Sequence, residues 1–261
     1  MSLKLKYLYR AYRYRFRVDP AELRFVGQSL RPGQVAVDIG CHKGAYTYWM
    51  RRRVGPSGAV YAFEPQPQQV AYLRAAFSAM HYDNVEIVPM AVSDQCGSMT
   101  LHVPTGAGRT HEGSLERGAG SKEQGARDPN SESPLPAPCS PLSVNVTTLD
   151  EFFANRPHGP SFLKIDVEGH ELAVLQGGMR TLETYRPSIL VECEARHRSD
   201  GDVRPVCESL ESLGYTGSFF LHRARRPLAE FDPAVHQRLD PTNPERLPRG
   251  YVNNFAFVPR T

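Results

Sequence analysis

The chain has 261 residues, 40% of them hydrophobic and 23% charged, and a formal net charge of +3, which fits one large globular domain with appendages. So small a basic excess does not by itself imply a polyanionic partner, and no nucleic acid is expected as one. The longest apolar runs, 188–191 and 254–258, fall far short of the roughly 18 residues of a membrane span.

In chain order, segment 1–18 comes first and is both basic and aromatic. Lys4, Lys6, Arg10, Arg13, Arg15 and Arg17 are interleaved with Tyr7, Tyr9, Tyr12, Tyr14 and Phe16 before the first acid, Asp19. Charges so closely spaced leave no apolar core for a secretory signal. The segment reads as a terminal helix whose aromatic face packs on the domain while its basic groups stay in water. Peripheral contact with an anionic membrane, or contact with nucleic acid, is the second reading of the same pattern.

Residues 19–261 read as one domain. From Val35 onward, short β-branched or apolar runs alternate with helix-like segments, the signature of a doubly wound, Rossmann-like α/β sheet that is mostly parallel. Strands are predicted over 35–39, 59–63 and 85–90, with helices over 45–53 and 67–80 between them. Pro67 suits a first helical turn, and Gly55 with Pro56 stops the preceding helix. Two short extra strands, 99–103 and 144–147, flank segment 105–141, whose glycines give way to prolines. That composition offers little apolar area to offset chain entropy, so 105–141 is expected to be a flexible surface insertion, with an active-site lid as its functional alternative. Thr148 and Glu151 form a capping signal for a short helix over 149–155. A strand over 162–167, a helix over 171–185 weakened by Gly177 and Gly178, a strand over 189–193 and a helix over 203–213 follow. The runs 215–222 and 253–258 are expected to close the domain as an antiparallel hairpin at the sheet edge. The five cysteines are scattered and odd in number without a C-x-x-C pair, which argues against a disulfide framework or a zinc site and suits a reducing cytoplasm.

Ligands of a parallel α/β sheet bind beyond the carboxyl ends of its strands, and acids collect there. Asp38 and Gly40 close the first strand, Glu64 the second, and Asp94 follows the third. Asp166 with Glu168, then Glu192 with Glu194, end the next two long strands. The first turn, Asp38-Ile39-Gly40-Cys41-His42-Lys43-Gly44, spaces its glycines as G-x-x-x-G, not as the G-x-G-x-x-G that brings backbone against a diphosphate. It still lets a ligand approach the main chain, and the helix beginning between Lys43 and Thr47 offers free N–H groups to a carboxylate. Glu64 stands where a carboxylate accepts two ribose hydroxyls. Together these features describe a ligand with a ribose and a carboxylate but no diphosphate.

A nicotinamide-dependent oxidoreductase fits that description poorly. A non-catalytic ligand-binding scaffold of the same fold is the alternative from another class, and the intact Asp38, Glu64 and Asp166 set counts against it. Asp166 with Glu192 or Glu194 could supply hard oxygen ligands to Mg²⁺, although no diagnostic spacing favours a divalent metal.

The stretches Val37 to Gly44, Ala62-Phe63-Glu64-Pro65, Ala91-Val92-Ser93-Asp94, Thr148-Leu149-Asp150 and, above all, Leu163-Lys164-Ile165-Asp166-Val167-Glu168-Gly169-His170-Glu171 resemble the FkbM family of S-adenosylmethionine-dependent methyltransferases. The resemblance spans roughly 35–194. It implies a class I methyltransferase sheet of seven strands with an antiparallel last strand, and S-adenosyl-L-methionine as cofactor. It also implies O-methylation of a hydroxyl on a sugar, glycolipid or natural product, hence a small-molecule or glycan acceptor. Asp38, Gly40 and Gly44 match its cofactor turn, Glu64 its ribose acid, and Ser93 with Asp94 its adenine-side loop. His42 and Lys43 stand where the family more often has Asn and a small or apolar residue. The acceptor's proton is expected to leave at the rim of Asp166, Glu168 and His170, with Glu168 ranked ahead of His170. Glu171 is read as serving backbone amides at the following helix start.

Overall fold

The segment Val35-Ala36-Val37-Asp38-Ile39 is buried along its whole length, as a parallel strand covered by helices on both faces must be. It forms β1 (Val35–Ile39) in a computed structural model that describes residues 2–104, 114–116, 139–243 and 246–260. The strands that follow are β2 (Ala59–Phe63), β3 (Val85–Val88), β4 (Ala91–Val92), β5 (Gly97–Pro104), β6 (Ser114–Glu116) and β7 (Cys139–Thr147). After them come β8 (Phe162–Asp166), β9 (Ser188–Glu192), β10 (Tyr215–Leu221), β11 (Ala224–Pro227) and β12 (Asn254–Pro259). The helices are α1 (Leu3–Arg13), α2 (Pro20–Ser29), α3 (Ala45–Val54), α4 (Pro67–Ala79), α5 (Leu149–Phe153), α6 (Glu171–Gln176), α7 (Met179–Tyr185), α8 (Arg204–Ser212) and α9 (Pro233–His236). None of the described helices is long and apolar enough to cross a membrane.

The main sheet runs in the order β11-β10-β12-β9-β8-β1-β2-β3. From β9 to β3 every pairing is parallel, whereas β12 is antiparallel to both of its neighbours. This is the doubly wound, mostly parallel sheet with an antiparallel last strand that the sequence implies. Side chains alternate between two covered faces. Ala36, Val60, Phe162, Leu190 and Ala256 meet α2 and α3 on one face. Val37, Leu163, Ile165, Ile189, Val191, Phe255 and Phe257 pack with residues of α5 to α8 on the other.

Four expectations need correction. Among the described residues the sheet has eight strands rather than seven, because β11 adds a hairpin arm to β10. The closing pair is not at the edge: β12 inserts between β9 and β10, and β11 is the edge strand. The third strand stops at Val88, where the Met90 N–H bonds back to the Val88 carbonyl at 2.9 Å, and the chain restarts as β4 in a second sheet ordered β4-β7-β5-β6. The helix expected over 171–185 is two helices. A Cβ on Gly177 would lie 1.9 Å from the Ser93 carbonyl oxygen, so the break brings two backbones into contact.

In the second sheet, β5 and β7 pair from Gly97↔Val146 to Pro104↔Cys139. The predicted extra strands are therefore longer than expected, and they take in 139–141 from the insertion; Ser114–Glu116 forms β6. The rest of the insertion, 105–113 and 117–138, lies outside the described residues, as does the expectation that it is flexible.

Candidate active site

The parallel strands all end at one rim, and a cavity of about 360 Å³ opens there, a size suited to a small molecule. Asp38, Gly40, Glu64, Asp166 and Glu168 line it, together with Glu192 and Glu194. Of the other proposed site residues, Gly44, Thr47, Ser93, Asp94 and His170 are not among its described lining residues.

Asp38 is fully buried at the end of β1. The Thr47 hydroxyl donates to its Oδ2 at 2.6 Å, so Thr47 acts one step behind the cavity wall. Asp38 Oδ1 is buried without a hydrogen-bond partner among the described residues. Burial raises the Asp38 pKa, opposed by Lys164 and by the Thr47 bond. Gly40 is forced by close approach: at φ 75° it is left-handed, and a Cβ there would fall 1.9 Å from the Asp166 carbonyl oxygen. The glycine therefore locks the first turn against the end of β8. Glu64 at the end of β2 accepts from the backbone N–H of His42 and of Gln66, each at 2.9 Å. Burial nevertheless pushes its pKa up to about 7.

Lys164 is the cation at the centre of this acidic rim. It sits inside β8, 3% exposed, with Nζ 2.6 Å from Asp166 Oδ2 and 4.8 Å from the Tyr46 ring centroid. Burial disfavours its charge, yet Asp166, Asp38 and Glu192 together raise its pKa. Strand register accounts for the cluster, since Asp38 pairs with Lys164 and Asp166 with Glu192. Burial, reinforced by Asp166, pushes Glu192 well up toward its neutral form, and Asn253 donates to Glu192 Oε1 at 2.6 Å. Glu194 is held by Arg196 through two contacts of 2.7 and 3.1 Å. The carboxylates of the Mg²⁺ reading thus already face cations of the chain itself, and no group of three metal-ligating side chains converges among the described residues.

Beyond β8 the chain turns through Glu168, which is left-handed at φ 44°, a conformation uncommon for a residue with a Cβ. Glu171 has the structural role expected of it. It is buried, accepts from the Gly169 N–H at 2.7 Å and approaches Arg198 at 3.7 Å. The His170 ring Nε2 lies 2.8 Å from the Ser93 hydroxyl, and that hydroxyl lies 3.0 Å from Asp94 Oδ1. His170 therefore ties the turn after β8 to the loop after β4.

Sequence reasoning missed one wall entirely. Arg10, Arg13, Tyr14, Val18 and Asp19 line the cavity from the N-terminal segment. Tyr7 is fully buried and donates to the Gly44 carbonyl at 2.9 Å, while the Tyr46 hydroxyl donates to Asp19 Oδ2 at 3.0 Å. The helix expected to pack on the domain does so, and it also closes the site. The missed signal was a run of aromatics too dense for a solvated tail.

The sequence matches the family described as Methyltransferase FkbM domain over residues 38–216. No curated protein matches it. Among solved structures, the Methyltransferase FkbM of Methylobacillus flagellatus KT is similar over 98% of this chain, with 13% identity and a TM-score of 0.52. This chain spans 55% of the length of that one. The O-methyltransferase of Bacillus cereus, solved in complex with SAH, is similar over 100% of this chain and 91% of its own, with 12% identity and a TM-score of 0.52. At these identities the likeness concerns the fold.

Proposed function

The chain belongs to the FkbM methyltransferase family, and we propose that it transfers the methyl group of S-adenosylmethionine to a hydroxyl of a sugar, glycolipid or natural-product acceptor. The observation that carries this reading is the fully buried Asp38 Oδ1, without a hydrogen-bond partner among the described residues, in the wall of a cavity that Glu64 also lines. A buried carboxylate oxygen without a donor is costly unless a ligand supplies one. The ammonium group of an amino-acid moiety is such a donor. The N–H groups at the start of α3 suit the same moiety's carboxylate, and the two Glu64 oxygens suit ribose hydroxyls.

The bound cofactor supplies an electrophilic methyl on a sulfonium. The chain itself must align the acceptor and receive its proton, and a positioned base is typically worth 10² to 10⁴ in rate. Glu168 at the cavity rim takes that role in our reading. Lys164, 2.6 Å from Asp166 Oδ2, fixes that carboxyl group in place to orient the acceptor, and His170 holds the adenine-side loop.

Calorimetry with S-adenosylmethionine and with NAD tests the ligand, and single-turnover methyl transfer by Glu168→Gln and His170→Ala tests the roles. We expect S-adenosylmethionine to bind in preference to NAD, Glu168→Gln to keep affinity but lose rate, and His170→Ala chiefly to lose affinity. Failure to bind S-adenosylmethionine would leave the scaffold reading, and wild-type rates in Glu168→Gln would move the base elsewhere.

A further inference from the structure

The large apolar side chains exposed on the described surface concentrate on one helix. Leu5, Tyr9, Tyr12 and Phe16 are 55%, 61%, 42% and 59% exposed, and their positions follow i, i+4, i+7 and i+11, a single helical face. The helix continues from α1 through a wider π-type turn over Tyr14–Val18, and the rings of Tyr12 and Phe16 remain 6.0 Å apart. One residue further round, Lys6, Arg10, Arg13 and Arg17 repeat the same spacing. Two of them, Arg10 and Arg13, reach the cavity wall. The opposite face is spent on the domain, where Tyr7 and Ala11 are buried. Residues 1–18 contain no acid.

An apolar stripe beside a basic stripe, on a helix lying flat against its domain, has the layout of an element that rests in a membrane interface. Charge selects among the possible occupants. A second copy of this chain would set two wholly basic helices against each other. A single-stranded nucleic acid would need open ring faces along the stripe, but Leu5 offers none and Tyr12 already stacks edge-on with Trp49 at 5.3 Å. An anionic bilayer satisfies both stripes, taking the apolar row at the acyl boundary and the basic row at its phosphates.

We propose that the 3–18 helix seats the protein on an anionic membrane through Leu5, Tyr9, Tyr12 and Phe16, with the cavity opening alongside the headgroup layer.

The full chain is sedimented with vesicles of phosphatidylcholine alone and of phosphatidylcholine mixed with phosphatidylglycerol in equal parts, at low and high salt. Binding should require the anionic lipid and weaken with salt. Tyr9→Ser/Phe16→Ser and Lys4→Glu/Lys6→Glu/Arg17→Glu change exposed side chains outside the cavity wall, so both should melt as the wild type does. Each should weaken vesicle binding by at least about tenfold. Equal binding to neutral vesicles, or wild-type binding by both variants, would overturn the proposal. So would self-association without lipid that Tyr9→Ser/Phe16→Ser abolishes, or binding to a single-stranded oligonucleotide in place of vesicles.

Discussion

Replacing Glu64 by glutamine should raise the stability of the ligand-free protein progressively with pH while weakening its hold on the cofactor. Burial moves the Glu64 carboxyl from an ordinary 4.5 to about 7, although two backbone N–H groups favour its ionised form. At about 1.4 kcal/mol per tenfold change, an ionised Glu64 costs the empty site about 3 kcal/mol. Between 4.5 and about 7 the folded chain keeps a proton that the unfolded chain has released. The stabilising contribution is therefore full below 4.5, declines across that window and is lost above about 7. Glutamine does not titrate, so the unfolding free energy of Glu64→Gln minus that of the wild type should rise by about 2.5 kcal/mol from about pH 5 to about pH 8. Any constant cost from setting an amide against the N–H groups of His42 and Gln66 leaves that slope untouched. Asp19 and Glu22, raised by burial to about 6 and about 7, titrate in both proteins and largely cancel. Urea unfolding at a series of pH values measures the difference. In calorimetry at about pH 8 the variant should lose about 2–3 kcal/mol of S-adenosylmethionine binding, or roughly 30- to 150-fold. Wild-type affinity should fall as the pH drops below about 7, because ribose hydroxyls favour the ionised acid. A difference in stability that is flat with pH, together with unchanged affinity, would refute both the burial argument and the ribose assignment.

Gly40→Ala should cost at least about 3 kcal/mol in thermal or urea unfolding, since its Cβ would collide with backbone rather than with a flexible side chain. Lys164→Met should cost about 3–5 kcal/mol, with the loss greater at high pH than at low, because Asp38, Asp166 and Glu192 lose their shared counter-charge; a pH-independent loss in urea unfolding would count against that pairing. Replacing 117–138 by a short Gly/Ser link should leave the melting temperature nearly unchanged, since β6 stays paired with β5 and β5 with β7 and each doubling of loop length changes closure by only about 0.6 kcal/mol. A cooperative loss of structure on shortening would mean that the insertion contributes to the core, whereas lost turnover in an intact fold would identify a lid.

The parts of the fold legible in the sequence are those decided locally. β1 and β2 appear with their predicted bounds because a strand buried on both faces is a short apolar run ending in turn residues. The α4 start at Pro67 and the Thr148 cap, whose hydroxyl accepts from the Glu151 N–H at 3.0 Å, were equally local. Elements that depend on distant chain were not legible. Gly177 and Gly178 read as a weak spot in one helix, but the carbonyl of Ser93 that demands the break lies far away in sequence. Strands 215–222 and 253–258 announce an antiparallel pair, yet which of them sits beside β9 is decided by the whole sheet.

The site shows the same division within single residues. Strand ends were predictable, so the gathering of Asp38, Glu64, Asp166 and Glu168 at one rim was predictable too. Which acids stay available to a ligand depends on which are met by the chain's own cations. Lys164 stands two residues before Asp166, and Arg196 two residues after Glu194. Residues spaced by two along a strand share a side, so the Lys164–Asp166 pairing within β8 could have been read from the sequence, whereas Arg196 meets Glu194 from a 3-10 turn over Ala195–His197. A lysine inside Phe162-Leu163-Lys164-Ile165-Asp166 has to find carboxylates, because an unpaired buried ammonium is among the costliest features a core can hold. Once Lys164 is assigned to Asp166, and Arg196 to Glu194, the rim resolves by elimination. Glu192 is pushed toward its neutral form and Glu171 braces a turn. Asp38, which shares Lys164 with its neighbours, keeps Oδ1 without a hydrogen-bond partner among the described residues, and the buried Glu64 is met only by backbone N–H groups, which is the condition expected of carboxylates that await the ammonium and hydroxyl groups of a ligand.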